Sequence, residues 1–175
     1  MTVAVRFTSS IREWTVGGAL IRHGTGLVMV ANRRRDGSID WTPPGGVIDE
    51  GETVQQGLVR EVLEETGLVV RDFHGLAYRV EVSAPELGWR MQVEAWEVAA
   101  DGDIEIADPD GIVEHVRRME RDEATTHLLG GAPWVHVPVG EWLDGICGAA
   151  VADTVHYRFR VNGADRSTST AVRLP

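Results

Sequence analysis

The chain has 175 residues, of which 43% are apolar and 25% charged, and its formal net charge is -10. That size and apolar share suit a single globular domain with a real core, while so acidic a balance disfavours general binding to a nucleic-acid backbone. Cys147 is the only cysteine, which excludes an intrachain disulfide and suits a reducing cytoplasm; no stretch is apolar enough for a membrane span and no signal peptide is evident.

In chain order, Met1 to Glu13 is mixed and mostly polar and reads as a loose arm or a short edge strand. Trp14–Ile21 is predicted as a first strand, Arg22–Gly26 as a turn, and Gly26–Ala31 as a second strand buried on both faces. Asn32-Arg33-Arg34-Arg35 follows at once, an unusual basic cluster in an acidic chain. Arg33 and Arg35 are candidates for gripping substrate phosphates, since a guanidinium fork matches phosphate oxygens; the alternative is a solvated strand end. Ile39–Thr42 reads as a short strand entering Pro43-Pro44-Gly45-Gly46, two stiff residues followed by two that permit close backbone approach.

The next stretch carries most of the information. Thr53-Val54-Gln55-Gln56 has the form of a capping box, and Gly67 suits the left-handed position past a helix end, so a helix is predicted over about Val54–Thr66. Val54, Leu58, Val59, Val62 and Leu63 form its apolar arc. Glu61, Glu64 and Glu65 share the neighbouring arc at i, i+3 and i+4, where like charges repel. A hard divalent cation would compensate them; a solvated acidic face is the alternative. Gly57 is read as leaving room for a bulky polar group, and Arg60 as pairing with Glu64 or steering Glu61.

Beyond the helix, Leu68–Val70, a turn region and Gly75–Val82 are expected, then a loop over 83–90. Met91–Val98 alternates, with Met91, Val93 and Ala95 inward, so the semi-polar face of Gln92, Glu94 and Trp96 is expected to border the cleft. Trp89 and Trp96 are candidates to stack on a base, against a plain packing role. An acidic loop over 99–111 leads to a strand at Ile112–Met119. His127 and Trp142 read as structural. Val155–Val161 alternates as a strand, and the Ser/Thr-rich end reads as a flexible tail. The predicted organisation is one domain over 1–162, with 163–175 as the tail.

From Gly46 to Leu68 the spacing is Gly46, five residues, Glu52, seven residues, then Arg60-Glu61-Val62-Leu63-Glu64-Glu65-Thr66-Gly67-Leu68. This resembles the complete signature of the Nudix hydrolases, and the flanking pattern is similar to that family over about residues 12 to 145. The resemblance implies an α/β fold, an α/β/α sandwich around a mixed β-sheet. It implies cleavage of a nucleoside diphosphate linked to another group, with Mg2+ or Mn2+ as cofactor. It further implies Gly45 (through its carbonyl), Glu61, Glu64 and Glu65 as metal ligands, Glu52 as a supporting residue, and Arg60 as the residue that orients Glu61. Glu114 is the first choice for one more carboxylate, as metal ligand or base, with Asp110 and Glu120 behind it. Nucleoside triphosphates, oxidised ones included, are the expected substrates; an ADP-ribose or nucleotide-sugar substrate, hinted at by Pro85, and an inactive nucleotide-binding domain stay open. The expected partner is a nucleotide-type small molecule, without nucleic acid or membrane; a homodimer is an option that tryptophan content and the C-terminal strand leave open.

Overall fold

The computed structural model describes residues 11–165 and 169–175. Strands β1 (Arg12–His23), β2 (Gly26–Arg33) and β3 (Ile39–Thr42) precede helix α1 (Val54–Thr66). Strands β4 (Val69–Ala84), β5 (Trp89–Asp101) and β6 (Val113–Met119) follow, then helices α2 (Arg121–Leu128) and α3 (Pro133–Leu143), and finally β7 (Val155–Asn162) and β8 (Thr170–Leu174). The sheet is mixed: β1 runs parallel to β5 and β4 parallel to β7, while β4–β5 and β7–β8 are antiparallel. Among the described residues no helix is long and apolar enough to cross a membrane.

Alternation along the central strands separates two cores, because successive side chains leave a strand on opposite faces. Ala19, Ile21 and Val98 pack under Leu58 and Val62 of α1. Leu20, Val80, Val82, Phe159 and Val161 pack on the other face, under Leu128 of α2 and Val139 and Trp142 of α3. Helices therefore cover both faces, as the expected α/β/α sandwich requires. Strand β2 is buried from Gly26 to Asn32, which accounts for its unbroken apolar run.

Several expectations need correction. Residues 69–84 form one long strand instead of two pieces with a turn between them, because register shifts at Val70/Asp72, Phe73/Gly75 and Leu76/Tyr78 absorb the irregular residues without ending the pairing to β5. The expected loop over 83–90 shrinks to a single 3-10 turn, Pro85–Leu87. Helix α1 has its predicted ends: Gln56 N donates to Thr53 Oγ1 at 3.2 Å, Thr53 N to Gln56 Oε1 at 2.8 Å, and Gly67 caps the other end at φ 74°. Its buried stripe is narrower than predicted. Leu58 and Val62 are fully buried, but Val59 and Leu63 are 43% and 48% exposed, because the helix meets the sheet along one row and buries Glu65 and Thr66 beside it. Nor does Gly57 open space for a ligand: a Cβ there would lie 2.5 Å from Ile48 Cδ1, which fills the gap.

The expected strand near residue 155 exists, with Tyr157, Phe159 and Val161 buried. The tail does not behave as expected. Thr170–Leu174 pairs with β7 as β8, and Arg173 Nη1 donates to Glu141 Oε1 of α3 at 2.7 Å while its guanidinium lies 4.8 Å over the Tyr157 ring. Tyr157 Oη in turn donates to Glu141 Oε2 at 2.6 Å. An alternating Thr-Ala-Val-Arg-Leu run beside an exposed strand edge is enough to order the segment. Most of the predicted N-terminal arm (residues 1–10) and residues 166–168 of the tail lie outside the described residues.

Gly17 lets α1 settle on β1. A Cβ at Gly17 would stand 2.9 Å from Leu58 Cγ and 3.1 Å from Ile48 Cδ1. Gly17→Ala is expected to cost about 1–3 kcal/mol by overpacking, measured in urea unfolding. The cost of Leu58→Ala should be smaller in the Gly17→Ala background than alone; additive costs would show that the two residues are not in conflict.

Candidate active site

Strand β1 pairs with β2 only beside their hairpin, Arg22 with Leu27 and His23 with Gly26. Where β1 leaves β2, the loop after β3 takes over its edge. Ala19 N donates to the Pro44 carbonyl (2.8 Å), Gly17 N to the Gly46 carbonyl (2.9 Å) and Ile48 N to the Thr15 carbonyl (2.9 Å). The approach is close enough to need glycine twice. A Cβ on Gly45, whose φ is 144°, would fall 2.1 Å from the Gly17 carbonyl oxygen, and one on Gly46 would fall 2.7 Å from the Glu61 carboxyl carbon. Backbone is thus set directly against the acidic row of α1, where Gly45 N donates to Glu65 Oε2 at 2.7 Å. The carbonyls of Pro44 and Gly46 are occupied by β1, and no backbone amide among the described residues takes the Gly45 carbonyl between them.

Arg60 sits in the middle of the charges. Its Nη2 and Nε donate to Glu52 at 2.9 and 3.1 Å, and its Nη1 donates to Glu61 Oε1 at 2.7 Å and reaches Glu64 Oε2 at 3.4 Å. Asp49 Oδ2 lies 3.7 Å away. One planar cation with several fixed donors therefore serves four carboxylates. The bond from Arg60 holds Glu52 below the usual carboxylate range. Arg60 itself is held more firmly protonated, chiefly by Glu52.

A second acidic segment arrives from the connection between β5 and β6. Glu105 N donates to the Thr66 carbonyl and Ala107 N to the Glu64 carbonyl, both at 2.9 Å, so the segment is stitched to the end of α1. Asp108 then closes a turn by accepting from the amides of Asp110, Ile112 and Val113 at 2.7–2.9 Å. Asp108 and Asp110 both end up lining the same cavity as Glu61, Glu64 and Glu65.

The electrostatic result is a desolvated concentration of negative charge. Burial, reinforced by Glu61, Asp108 and Glu64, pushes the Glu65 carboxyl from an ordinary 4.5 up to about 8, against the opposing bond from Gly45 N. Burial also raises Glu61, with Glu64 and Asp110 adding to it and Arg60 opposing. Among the described residues no three acidic, histidine or cysteine side chains are already gathered into a metal cage, since Arg60 and the Gly45 amide hold two of the glutamates. The donor set still fits a hard divalent cation: it is all oxygen, short of water, and self-repelling until a positive charge arrives.

The cavity beside these carboxylates has a volume of about 1040 Å³. Its lining combines acidic groups from α1 and Asp108–Asp110 beside the Gly45-Gly46 loop with an apolar part that includes Trp14, Trp89, Met91 and Trp134.

Several predicted site residues stand elsewhere. Glu114 forms an ion pair with Arg33 at 2.5 Å, outside the cavity lining, so each occupies the other. Glu120 accepts from Thr25 N and Oγ1 at the far end of the β1–β2 hairpin. Arg35 is exposed and outside the lining, whereas Arg34, paired with Asp40, borders it. Trp96 packs edge-on against Phe73 on the α1 side of the sheet and donates to Glu94 at 3.2 Å. Met91, Val93 and Ala95 do point inward as expected, but the cleft lies on this face and not on that of Trp96, because it opens between the sheet and Trp134, Val135 and Val139 of α3. His127 packs tilted against Trp41, with ring centroids 4.8 Å apart. Trp14, Trp134 and Asp108 were not singled out in sequence. Trp14 pairs in register with Met91, which the alternation already placed inward.

Comparison with known proteins settles the family. A NUDIX domain model matches residues 12–143. The chain belongs to the Nudix family. A 53-residue stretch is 43% identical to Nucleoside diphosphate-linked moiety X motif 6 of Xenopus laevis, covering 30% of this chain and 24% of that protein. A 60-residue stretch is 45% identical to the RNA pyrophosphohydrolase of Photobacterium profundum (34% and 33%). Another, of 64 residues, is 41% identical to a Putative 8-oxo-dGTP diphosphatase 2 of Mycobacterium tuberculosis (35% and 44%). The chain thus spans less than half the length of these curated relatives. The fold of a NUDIX hydrolase from Nitrosomonas europaea is similar, with TM-score 0.67 at 19% identity over 77% of this chain and 90% of that one. The E. coli ORF135 protein gives 0.65 at 19% identity over 82% and 96%.

The charge on Glu65 has a consequence for stability. Its native pKa lies above its unfolded one, so between 4.5 and about 8 the native Nudix domain binds the extra proton. Stability should therefore fall as pH rises through that window and level off above it. In the presence of a chelator, chemical unfolding at a series of pH values is expected to show this decline in the wild type and a flatter profile in Glu65→Gln. Parallel profiles would mean that Glu65 is not the group responsible.

Proposed function

We propose that this Nudix domain hydrolyses a nucleoside diphosphate linked to another group, a nucleoside triphosphate first of all, giving a monophosphate and pyrophosphate. The observation that carries the reading is the row Glu61, Glu64 and Glu65 held beside Gly45 at one end of a cavity of about 1040 Å³, a size that accepts a nucleotide. Relatives named RNA pyrophosphohydrolase and 8-oxo-dGTP diphosphatase support this class of reaction. The lone, buried Cys147 suits a reducing cytoplasm.

Mg2+ or Mn2+ held by Glu61, Glu64, Glu65 and the Gly45 carbonyl would offset phosphate charge and make a bound water more acidic. The chain's own residues do the rest. Glu61 is placed to take the proton from the attacking water as the water oxygen bonds to phosphorus and the bond to the leaving phosphate oxygen breaks. Arg60 fixes the Glu61 rotamer through its 2.7 Å bond and is itself fixed by Glu52. Asp110, which lines the cavity with Glu61 and adds to the charge Glu61 feels, is favoured over Glu114 as the extra carboxylate, since Glu114 is paired with Arg33 outside the lining. The apolar far end excludes water from the organic half of the substrate. An ADP-ribose-type substrate is the second reading: Pro85 opens the turn whose Leu87 lines the cavity.

Glu61→Gln and Glu65→Gln should each lower kcat by on the order of 100-fold or more, with the cooperative melt retained. The assay would cover nucleoside triphosphates, oxidised triphosphates, ADP-ribose and nucleotide sugars with Mg2+, with products identified by mass. Wild-type turnover in both variants would sink the reading. Arg60→Ala should lower kcat more than it changes KM, and Arg60→Lys should restore only part of it, since an ammonium cannot hold Glu52 and Glu61 in one plane.

A further inference from the structure

The segment between β5 and β6 is held at both ends. Upstream, the amides of Glu105 and Ala107 bind the Thr66 and Glu64 carbonyls at the end of α1. Downstream, Arg33 N donates to the Ile112 carbonyl at 2.8 Å, and Val113 pairs with Asn32 of β2. Asp108-Pro109-Asp110-Gly111 lies between these fixed points, and its residues are those of a tight turn. Proline sets φ at the second position, and Gly111 takes a left-handed φ of 65° at the fourth.

Asp108 locks that turn. Its Oδ1 accepts from Asp110 N at 2.9 Å, and its Oδ2 accepts from Ile112 N at 2.7 Å and Val113 N at 2.9 Å. Its own carbonyl accepts from Gly111 N at 3.3 Å. Both carboxylate oxygens are thus engaged by backbone, through charge-assisted bonds that are stronger than neutral ones. The Asp110 carboxylate, by contrast, accepts no hydrogen bond among the described residues. The two acids also face different glutamates: Asp108 adds to the negative charge at Glu65, and Asp110 to that at Glu61. One acid is spent on the backbone, and the other is presented to the cavity that both line.

We infer that Asp108 is a positioning residue of the site: by binding three amides of its own turn it holds the Asp110 carboxylate on the Glu61 side of the cavity before a cation arrives, so that this extra oxygen donor belongs to the fixed frame of the site. The inference rests on the proposed choice of Asp110 as the extra carboxylate. A plain turn residue would steady the loop and leave cation affinity alone, so cation binding is the test. The full-length chain would be titrated with Mn2+ by calorimetry, without nucleotide, and free Mn2+ counted by electron paramagnetic resonance.

Asp108→Ala should weaken Mn2+ binding by about tenfold, the usual loss when a residue that orients a metal ligand is removed, and Asp110→Asn by at least as much. Asp108→Asn removes the same charge as Asp108→Ala but keeps one acceptor oxygen, so it should recover part of the loss. The gap between those two variants reads the bonds and not the charge. Pro109→Gly, which loosens the turn without changing any charge, should also weaken Mn2+. In the Asp110→Asn background the gap at position 108 should close and Pro109→Gly should have no effect, because no carboxylate is left to place. Equal affinities of Asp108→Ala and Asp108→Asn overturn the inference and leave a charge effect alone. A gap that persists without the Asp110 carboxylate overturns it too, as does wild-type affinity in Pro109→Gly. If Asp108→Ala does not fold, Pro109→Gly with and without Asp110 decides the matter. Wild-type Mn2+ affinity in Asp110→Asn overturns both the inference and the choice of Asp110. The coupled losses without turnover of any nucleotide would count against the proposed reaction and leave this inference standing.

Discussion

Two backbone hydrogen bonds, from Ala19 N to Pro44 and from Gly17 N to Gly46, hold the site together. They lay the Pro44–Ile48 loop along the edge that β1 gives up when it leaves β2. Everything functional depends on that placement. It presses Gly45 and Gly46 against the acidic row of α1, and it works only because glycine at 17, 45 and 46 removes the side chains that would keep backbone, helix and carboxylates apart. The same Gly17 lets Leu58 anchor α1, so the core contact and the site geometry are one piece of packing.

Charge is the opposing force. Glu52, Glu61, Glu64 and Glu65, with Asp108 and Asp110 facing them, put a large negative density in a space short of water, and Arg60 is the cation among them that binds several at once. Burial first, and the neighbouring carboxylates after it, raise the Glu65 carboxyl. A domain built for packing alone would not bury a glutamate there. Stability is given up locally where Glu65 is buried among other carboxylates beside the cavity.

The cavity also shows how a family domain becomes a particular protein. Its acidic end is made wholly from the matched region, while its aromatic end borrows a wall from the hairpin outside that region. Glu86, Glu141 and Tyr157 are the fixings: one on the β4–β5 turn, one on α3, one on β7. A tail with many Ser and Thr residues looks dispensable by composition, but five alternating residues beside a free strand edge bind it to the sheet.

Much was legible in the sequence because it is local. The ends of α1 follow from hydrogen bonds within a few residues, Thr53 with Gln56 and Gly67 with Leu63, and the row of glutamates follows from helical spacing. Alternation found most of the strands, though it broke β4 in two and missed β8. What alternation lacks is any sign of which face borders the cavity: the Met91, Val93 and Ala95 face does pack inward, and it is this face, not that of Trp96, that also lines the cavity. Glu114 and Arg33 looked free in sequence; their strands pair, and the two neutralise each other. Asp108 reaches the site because the amides of Glu105 and Ala107 bind the end of α1, contacts between segments distant in sequence. The sequence by itself determined the helix, its caps, its carboxylates and the family they signal, since those depend on near neighbours. Only the tertiary structure decided the cavity, the extra acids and the role of the last strand, since each depends on pairings between segments that composition does not join.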